Sequence, residues 1–139
     1  MPDESPSTTP CILIVDDTRE NRELLEAQLT GVECTLLMAE DGATALAIAA
    51  SQHVDLILCD VMMPGLTGYE VVSRLRADPA TRGIPFIMCS ALDDASSRIH
   101  ATNVGADDVI QKPLSRAELL RSVGKWVKGR GLPGQRIPP

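Results

Sequence analysis

Five short runs in which nearly every position is apolar punctuate the chain: Cys11 to Val15, roughly Thr35 to Ala39, Leu56 to Cys59, Ile84 to Cys89, and a weaker Asp108 to Gln111. Strands covered on both faces read this way. Between the runs, apolar residues recur at helical spacing, as with Leu24, Leu25 and Leu29 in the first segment, or Leu119, Leu120, Val123, Trp126 and Val127 in the last. Strands alternating with helices five times over argue for an α/β fold, a doubly wound parallel sheet with helices on both faces. The stretch 1–10 holds no apolar pattern and reads as a disordered leader. Residues 11–128 form the expected domain, and the Gly- and Pro-rich 129–139 reads as a tail or linker. No internal repeat is visible.

Composition narrows the function. The 139 residues suit one domain, and with 44% apolar but only 2% aromatic residues its core must be aliphatic, with no aromatic platform for single strands. Lys and Arg number 13 against 19 Asp and Glu, a net charge of −6 that is the wrong sign for a direct nucleic-acid partner. The charge is uneven, with seven Lys or Arg against one Glu from Lys112 onward. Arg121, Lys125 and Lys128 there read as complements to the negative end of the last helix. Cys11, Cys34, Cys59 and Cys89 lack Cys-x-x-Cys spacing, and three lie in apolar runs, which fits reduced thiols in a cytoplasmic setting. Cys59 and Cys89 precede corresponding strand ends, which predicts thiols side by side, packed and reduced. No apolar stretch is long enough to span a membrane, and no charged-then-apolar leader follows Met1. His53 and His100 have no ligand-type neighbours and read as surface residues.

Ligands of open parallel sheets bind beyond the carboxyl ends of the strands. The residues ending the runs are Asp16 and Asp17, Asp60, Ser90 and Lys112. Three carboxylates brought together repel unless a cation neutralises them, which predicts a hard divalent ion, Mg²⁺ best of all. Lys112 adds a compact positive charge for a further anionic oxygen. Carboxylates, a divalent ion, a lysine and a hydroxyl describe phosphoryl transfer, with one carboxylate able to act as nucleophile.

Ile12-Leu13-Ile14-Val15-Asp16-Asp17, Asp60-Val61-Met62-Met63-Pro64-Gly65-Leu66-Thr67-Gly68, Met88-Cys89-Ser90-Ala91, and Gly105-Ala106-Asp107-Asp108 running into Lys112-Pro113 together resemble the receiver domain of two-component response regulators. The resemblance covers about residues 11–128. It implies a flavodoxin-like (βα)5 fold with strand order 2-1-3-4-5. It also implies Asp60 as phosphoacceptor for a histidine kinase or phosphotransfer protein, and Mg²⁺ bound by Asp17, Asp60 and the Met62 main-chain carbonyl, with Asp16 acting through water. Ser90 and Lys112 would bind phosphoryl oxygens, and Lys112-Pro113 would be a cis peptide. Output would run through the fourth helix, fifth strand and fifth helix, with oligomeric state, homodimer included, left open. Met62 and Leu92 would flank the path of hydrolytic water. The chain departs from the family at Val109, where an aromatic switch residue is usual.

Taken singly these residues have bland readings: an Asp pair caps turns, Ser ends strands, and Lys is a solvated charge. Their joint order favours the functional one. An aspartyl-nucleophile phosphatase of the haloacid dehalogenase type would want an acid two residues after Asp60, where Met62 stands. A flavin or nucleotide binder would want a Ser-, Thr- and Gly-rich loop in place of Asp16-Asp17-Thr18-Arg19-Glu20, and a phosphate-independent pseudo-receiver would lack one of the site residues.

Overall fold

The computed structural model describes residues 9–91 and 94–127. Strands β1 (Cys11–Val15), β2 (Thr35–Ala39), β3 (Leu56–Asp60), β4 (Phe86–Ser90) and β5 (Asp108–Gln111) alternate with helices α1 (Arg19–Gln28), α2 (Gly42–Ser51), α3 (Gly68–Ala77), α4 (Ala95–Val104) and α5 (Arg116–Trp126). All four strand pairings are parallel, in the order β2-β1-β3-β4-β5, so the doubly wound sheet expected from the sequence is the one observed. The fourth strand starts at Phe86 rather than Ile84, because Pro85 has no N–H for a ladder. Most of the expected leader 1–10 and all of the tail 129–139 lie outside the described residues. Pro10, at the boundary, is buried, and its carbonyl accepts the Thr35 N–H at 2.8 Å.

The central strands β3 and β4 are buried at every position, whereas the edge strands β2 and β5 are only partly so. Alternate residues therefore feed two cores. Leu13, Val15, Ile57, Cys59, Phe86 and Met88 pack with Ala45 and Ala49 of α2, Val71, Val72 and Leu75 of α3, and Ala101 of α4. On the other face Ile12, Ile14, Leu58, Ile87, Cys89 and Ile110 pack with Leu25 of α1, Leu29 just beyond its end, and Leu119 and Val123 of α5. Leu24, expected in the α1 stripe, is instead exposed.

This phase corrects one expectation. The register pairs Cys59 with Met88 and Asp60 with Cys89, an offset of one residue that sends Cys59 and Cys89 to opposite faces of the sheet. Their thiols are not side by side. Both are buried, and burial raises both thiol pKa values, that of Cys89 to about 12.

Local signals set the helix starts. Thr67 and Glu70 form a reciprocal capping box on α3, Asp41 accepts the Thr44 N–H on α2, and Ser115 accepts the Glu118 N–H on α5. At the C-terminus of α1, Arg116 donates to the carbonyls of Gln28 and Thr30, while the Gln28 amide donates to the Leu114 carbonyl at 2.9 Å. The loop between β5 and α5 is thereby stapled to α1.

Candidate functional site

Asp60 is the last residue of β3 and shares the phase of Leu58, and Lys112 follows Gln111 at the phase of Ile110. Both therefore rise from the α1/α5 face. Asp16 joins them from the end of β1, where its N–H still extends the ladder to the Ala39 carbonyl at 3.1 Å. The Lys112 Nζ lies 3.2 Å from Asp16 Oδ2 and 3.2 Å from Asp60 Oδ1. A carboxylate oxygen from each of Asp16, Asp17 and Asp60 falls within 4.8 Å of the others. The expected acidic cluster and its lysine are thus one site.

The charges are unevenly balanced. Burial raises the Asp60 carboxyl above its ordinary value, Lys112 opposes this, and Asp16 adds to it. For Lys112, burial works against the charge, but Asp60 and Asp16 outweigh it and the ammonium is held above its ordinary value. One lysine shared by two carboxylates is fully compensated, while the carboxylates are not. Three oxygen donors with an excess of negative charge are what a hard divalent cation takes as ligands, so Asp16, Asp17 and Asp60 fit Mg²⁺.

Asp16 itself is buried and completely partnered. Its Oδ1 accepts the Thr18 N–H at 2.9 Å and the Asn21 amide at 3.3 Å, and its main-chain carbonyl accepts Arg22 Nη1 at 2.7 Å. Asp17, by contrast, is exposed, and lines a groove with Glu40, Asp41, Pro64 and Leu66.

Behind Asp60 the chain turns through Val61 to Thr67, with Gly65 at a φ of 76° that favours glycine. Gly68 brings the chain back: its N–H donates to the Val61 carbonyl at 2.9 Å, and a Cβ built on it would sit 2.4 Å from the Asp60 carbonyl oxygen. This residue lets α3 start against the phosphoacceptor candidate. Met62 stands on the loop with 63% of its surface exposed. Leu92 lies outside the described residues.

Ser90 ends β4, beside Asp60's strand, and its main-chain carbonyl accepts the Lys112 N–H at 2.7 Å. Its phase is that of Phe86 and Met88, and it lines a narrow crevice on the α3/α4 side with Val61, Tyr69, Met88, Ala101 and Val109. Lys112-Pro113 is the expected cis peptide. Val109 is half-buried in that core, and the aromatic near Ser90 is Tyr69 from α3, whose ring lies 4.3 Å from that of His100 on α4. Sequence reasoning passed over Tyr69. Its signal was a lone tyrosine in a chain almost without aromatics.

On the α1 side, Asp16, Asn21, Leu24, Leu25, Lys112, Pro113 and Leu114 line an open groove of about 360 Å³. Among the described residues no helix is long and apolar enough to cross a membrane.

Comparison with known proteins adds ancestry to this geometry. A family model described as the response regulator receiver domain matches residues 12–124. The response regulator PleD of Caulobacter vibrioides is 46% identical over 112 residues, which is 81% of this chain and 25% of PleD. The phosphate regulon transcriptional regulatory protein PhoB of Pseudomonas aeruginosa is 41% identical over 130 residues, covering 92% of this chain and 56% of PhoB. The chain thus spans between a quarter and about half the length of these relatives. Among solved structures, the receiver domain of sensor histidine kinase PA1611 from Pseudomonas aeruginosa, which has a magnesium ion coordinated in its active-site cleft, superposes with a TM-score of 0.79 at 32% identity. That match covers 86% of this chain and 98% of the other.

Proposed function

The chain belongs to the response regulator receiver domain family, and from that premise we propose that it accepts a phosphoryl group on Asp60 from a phosphohistidine of a histidine kinase or phosphotransfer protein. The observation that carries this reading is Lys112, held 3.2 Å from both Asp16 and Asp60 at the rim of the sheet, within a cluster of three carboxylates. An Asp60 oxygen attacks phosphorus, the P–N bond to the donor imidazole breaks, and the donor histidine leaves with the bonding pair. Asp60 is left as an acyl phosphate.

The protein groups do most of this by position and charge. Lys112 and the Ser90 hydroxyl receive phosphoryl oxygens, one from each face of the sheet. Asp17, Asp60 and the Met62 main-chain carbonyl would hold Mg²⁺ directly, with Asp16 acting through water; the ion would neutralise charge building on the phosphoryl oxygens. The similar PA1611 receiver domain, with magnesium in its cleft, supports this assignment.

The groove beside Lys112, with Leu24 52% exposed on its α1 wall, suits docking of the donor. Output belongs to α4, β5 and α5: β5 is an edge strand beside Ser90, and α4 carries an exposed apolar residue, Ile99. A cytoplasmic location fits partners of this kind. Met62, where a phosphatase of the haloacid dehalogenase type would carry its second acid, disfavours multiple turnover.

Incubation with acetyl phosphate and Mg²⁺ should add one phosphoryl group by intact mass, and Asp60→Asn should abolish the addition. An unmodified wild type, or a variant gaining the same mass, would refute the assignment.

A further inference from the structure

We infer that Arg22 and Asn21, on the first turns of α1, are positioning residues that fix the Asp16-Asp17 pair for cation binding. This rests on the reading of the acidic cluster as a Mg²⁺ site. It assigns work to two side chains that are not themselves ligands.

The two acids differ in how they are held. Asp16 is 1% exposed, and every polar atom is engaged: its N–H by the Ala39 carbonyl, Oδ2 by Lys112, Oδ1 by Thr18 and Asn21, and its main-chain carbonyl by Arg22. Asp17 is exposed. Its direction is set largely by the peptide that joins it to Asp16. That peptide carries the Asp16 carbonyl, and Arg22 Nη1 grips the oxygen at 2.7 Å, the shortest contact Asp16 makes. Arg22 therefore fixes the plane from which the Asp17 side chain departs. Asn21, bonded to Oδ1 at 3.3 Å, joins the Thr18 N–H at 2.9 Å on that oxygen, and the two together set the rotation of the Asp16 carboxylate and so which oxygen faces Lys112. Supporting contacts of this type usually govern metal affinity through ligand orientation.

Electrostatics makes the inference decidable, because position and charge predict opposite signs for Arg22. A guanidinium near a cation site repels the cation, so removing it as a mere charge would tighten Mg²⁺ binding. Removing it as a positioning group would loosen binding. Its placement is opposed by the macrodipole, which disfavours a cation in the first turns of a helix. The bond to the Asp16 carbonyl gives it a reason to be there.

The test is Mg²⁺ titration of the unphosphorylated protein by calorimetry, with wild type, Arg22→Gln and Asn21→Ala compared, and melting temperatures taken in EDTA as the fold control. Both variants should weaken Mg²⁺ binding by about tenfold, the lower end for such supporting residues, with metal-free melting nearly unchanged. Arg22→Lys, which keeps the charge but not the planar fork, should fall between Arg22→Gln and wild type. Unchanged or tighter binding by Arg22→Gln would overturn the inference, as would weakening fully accounted for by partial unfolding in EDTA. A wild type that binds no Mg²⁺ would overturn the site reading itself, and this inference with it.

Discussion

Gly68→Ala is the sharpest test of how the fold builds the site. A methyl group there would meet the Asp60 carbonyl oxygen at 2.4 Å, Met88 Sδ at 2.8 Å and Val61 Cα at 3.0 Å. Met88 can turn aside, but two of the three neighbours are backbone. Restoring an ordinary contact with the carbonyl needs a separation of roughly 3.4 Å, hence a shift of about 1 Å between the end of β3 and the start of α3. Overpacking of this kind costs about 1–3 kcal/mol. Alanine's better helix propensity returns up to about 1 kcal/mol, and less at a first helical position, so the net effect is a loss of about 1–2 kcal/mol. For a domain of this length that is a fall in melting temperature of roughly 3–8 °C. The functional loss should be larger than the stability loss, because the displaced atom belongs to Asp60, the proposed nucleophile. A misplacement near 1 Å is worth about 10²-fold in rate, so phosphorylation by acetyl phosphate should slow by one to two orders of magnitude. Chemical denaturation and intact-mass time courses measure the two effects. A variant with wild-type stability and wild-type phosphorylation rate would refute the close-approach argument.

Three further outcomes are expected. Alkaline pH should destabilise the protein through its core thiols: with Cys89 at about 12 against an ordinary 9.0, the native state keeps a proton that the unfolded state releases, so stability falls as pH rises from 9 towards 12. Cys89 alone accounts for about 2 kcal/mol at pH 10.5, and Cys89→Ala, though weaker at pH 8 from its cavity, should lose stability less steeply in urea titrations between pH 8.5 and 10.5. The acyl phosphate should hydrolyse slowly for a receiver, because Met62 and Leu92 offer no hydrogen bond to orient the attacking water; Met62→Asn with Leu92→Glu should accelerate loss of the phosphoryl mass, and equal rates would refute water exclusion. Beryllofluoride with Mg²⁺ should shift backbone resonances across α4, β5 and α5 and the ring signals of Tyr69, the sole tyrosine, whereas shifts confined to the loops at Asp16 and Asp60 would count against output through that face.

Much of the architecture was legible because the strands are continuous apolar runs, and four of the five began where the sequence placed them. The acids and Lys112 were legible for a related reason: Asp16 with Asp17 directly behind it, Asp60 and Lys112 are the first charges beyond such runs, and a charge there has nowhere to go but the rim. Register was not legible. Whether Cys59 lies across from Cys89 or from Met88 depends on a one-residue offset between strands far apart in sequence, and that offset decides the face. The supports were also hidden, since Arg22 and Asn21 act through a main-chain carbonyl and one carboxylate oxygen that no spacing rule exposes. Tyr69 enters the Ser90 crevice from helix α3, whereas an aromatic was sought at Val109 on strand β5.

The site draws its members from both layers of the domain. Asp60 and Lys112 share the phase of the α1/α5 core, while Ser90 shares that of the α3/α4 core. A phosphoryl group held by Lys112 and Ser90 would act as a rivet through two plates, tightened at one rim, so that helices on opposite faces of the sheet feel a common load. The same arrangement makes the frame more brittle than the letters. Exchanging one apolar residue for another within β4 leaves the rivet aligned, but inserting or deleting a single residue there would turn the Ser90 hydroxyl to the wrong plate.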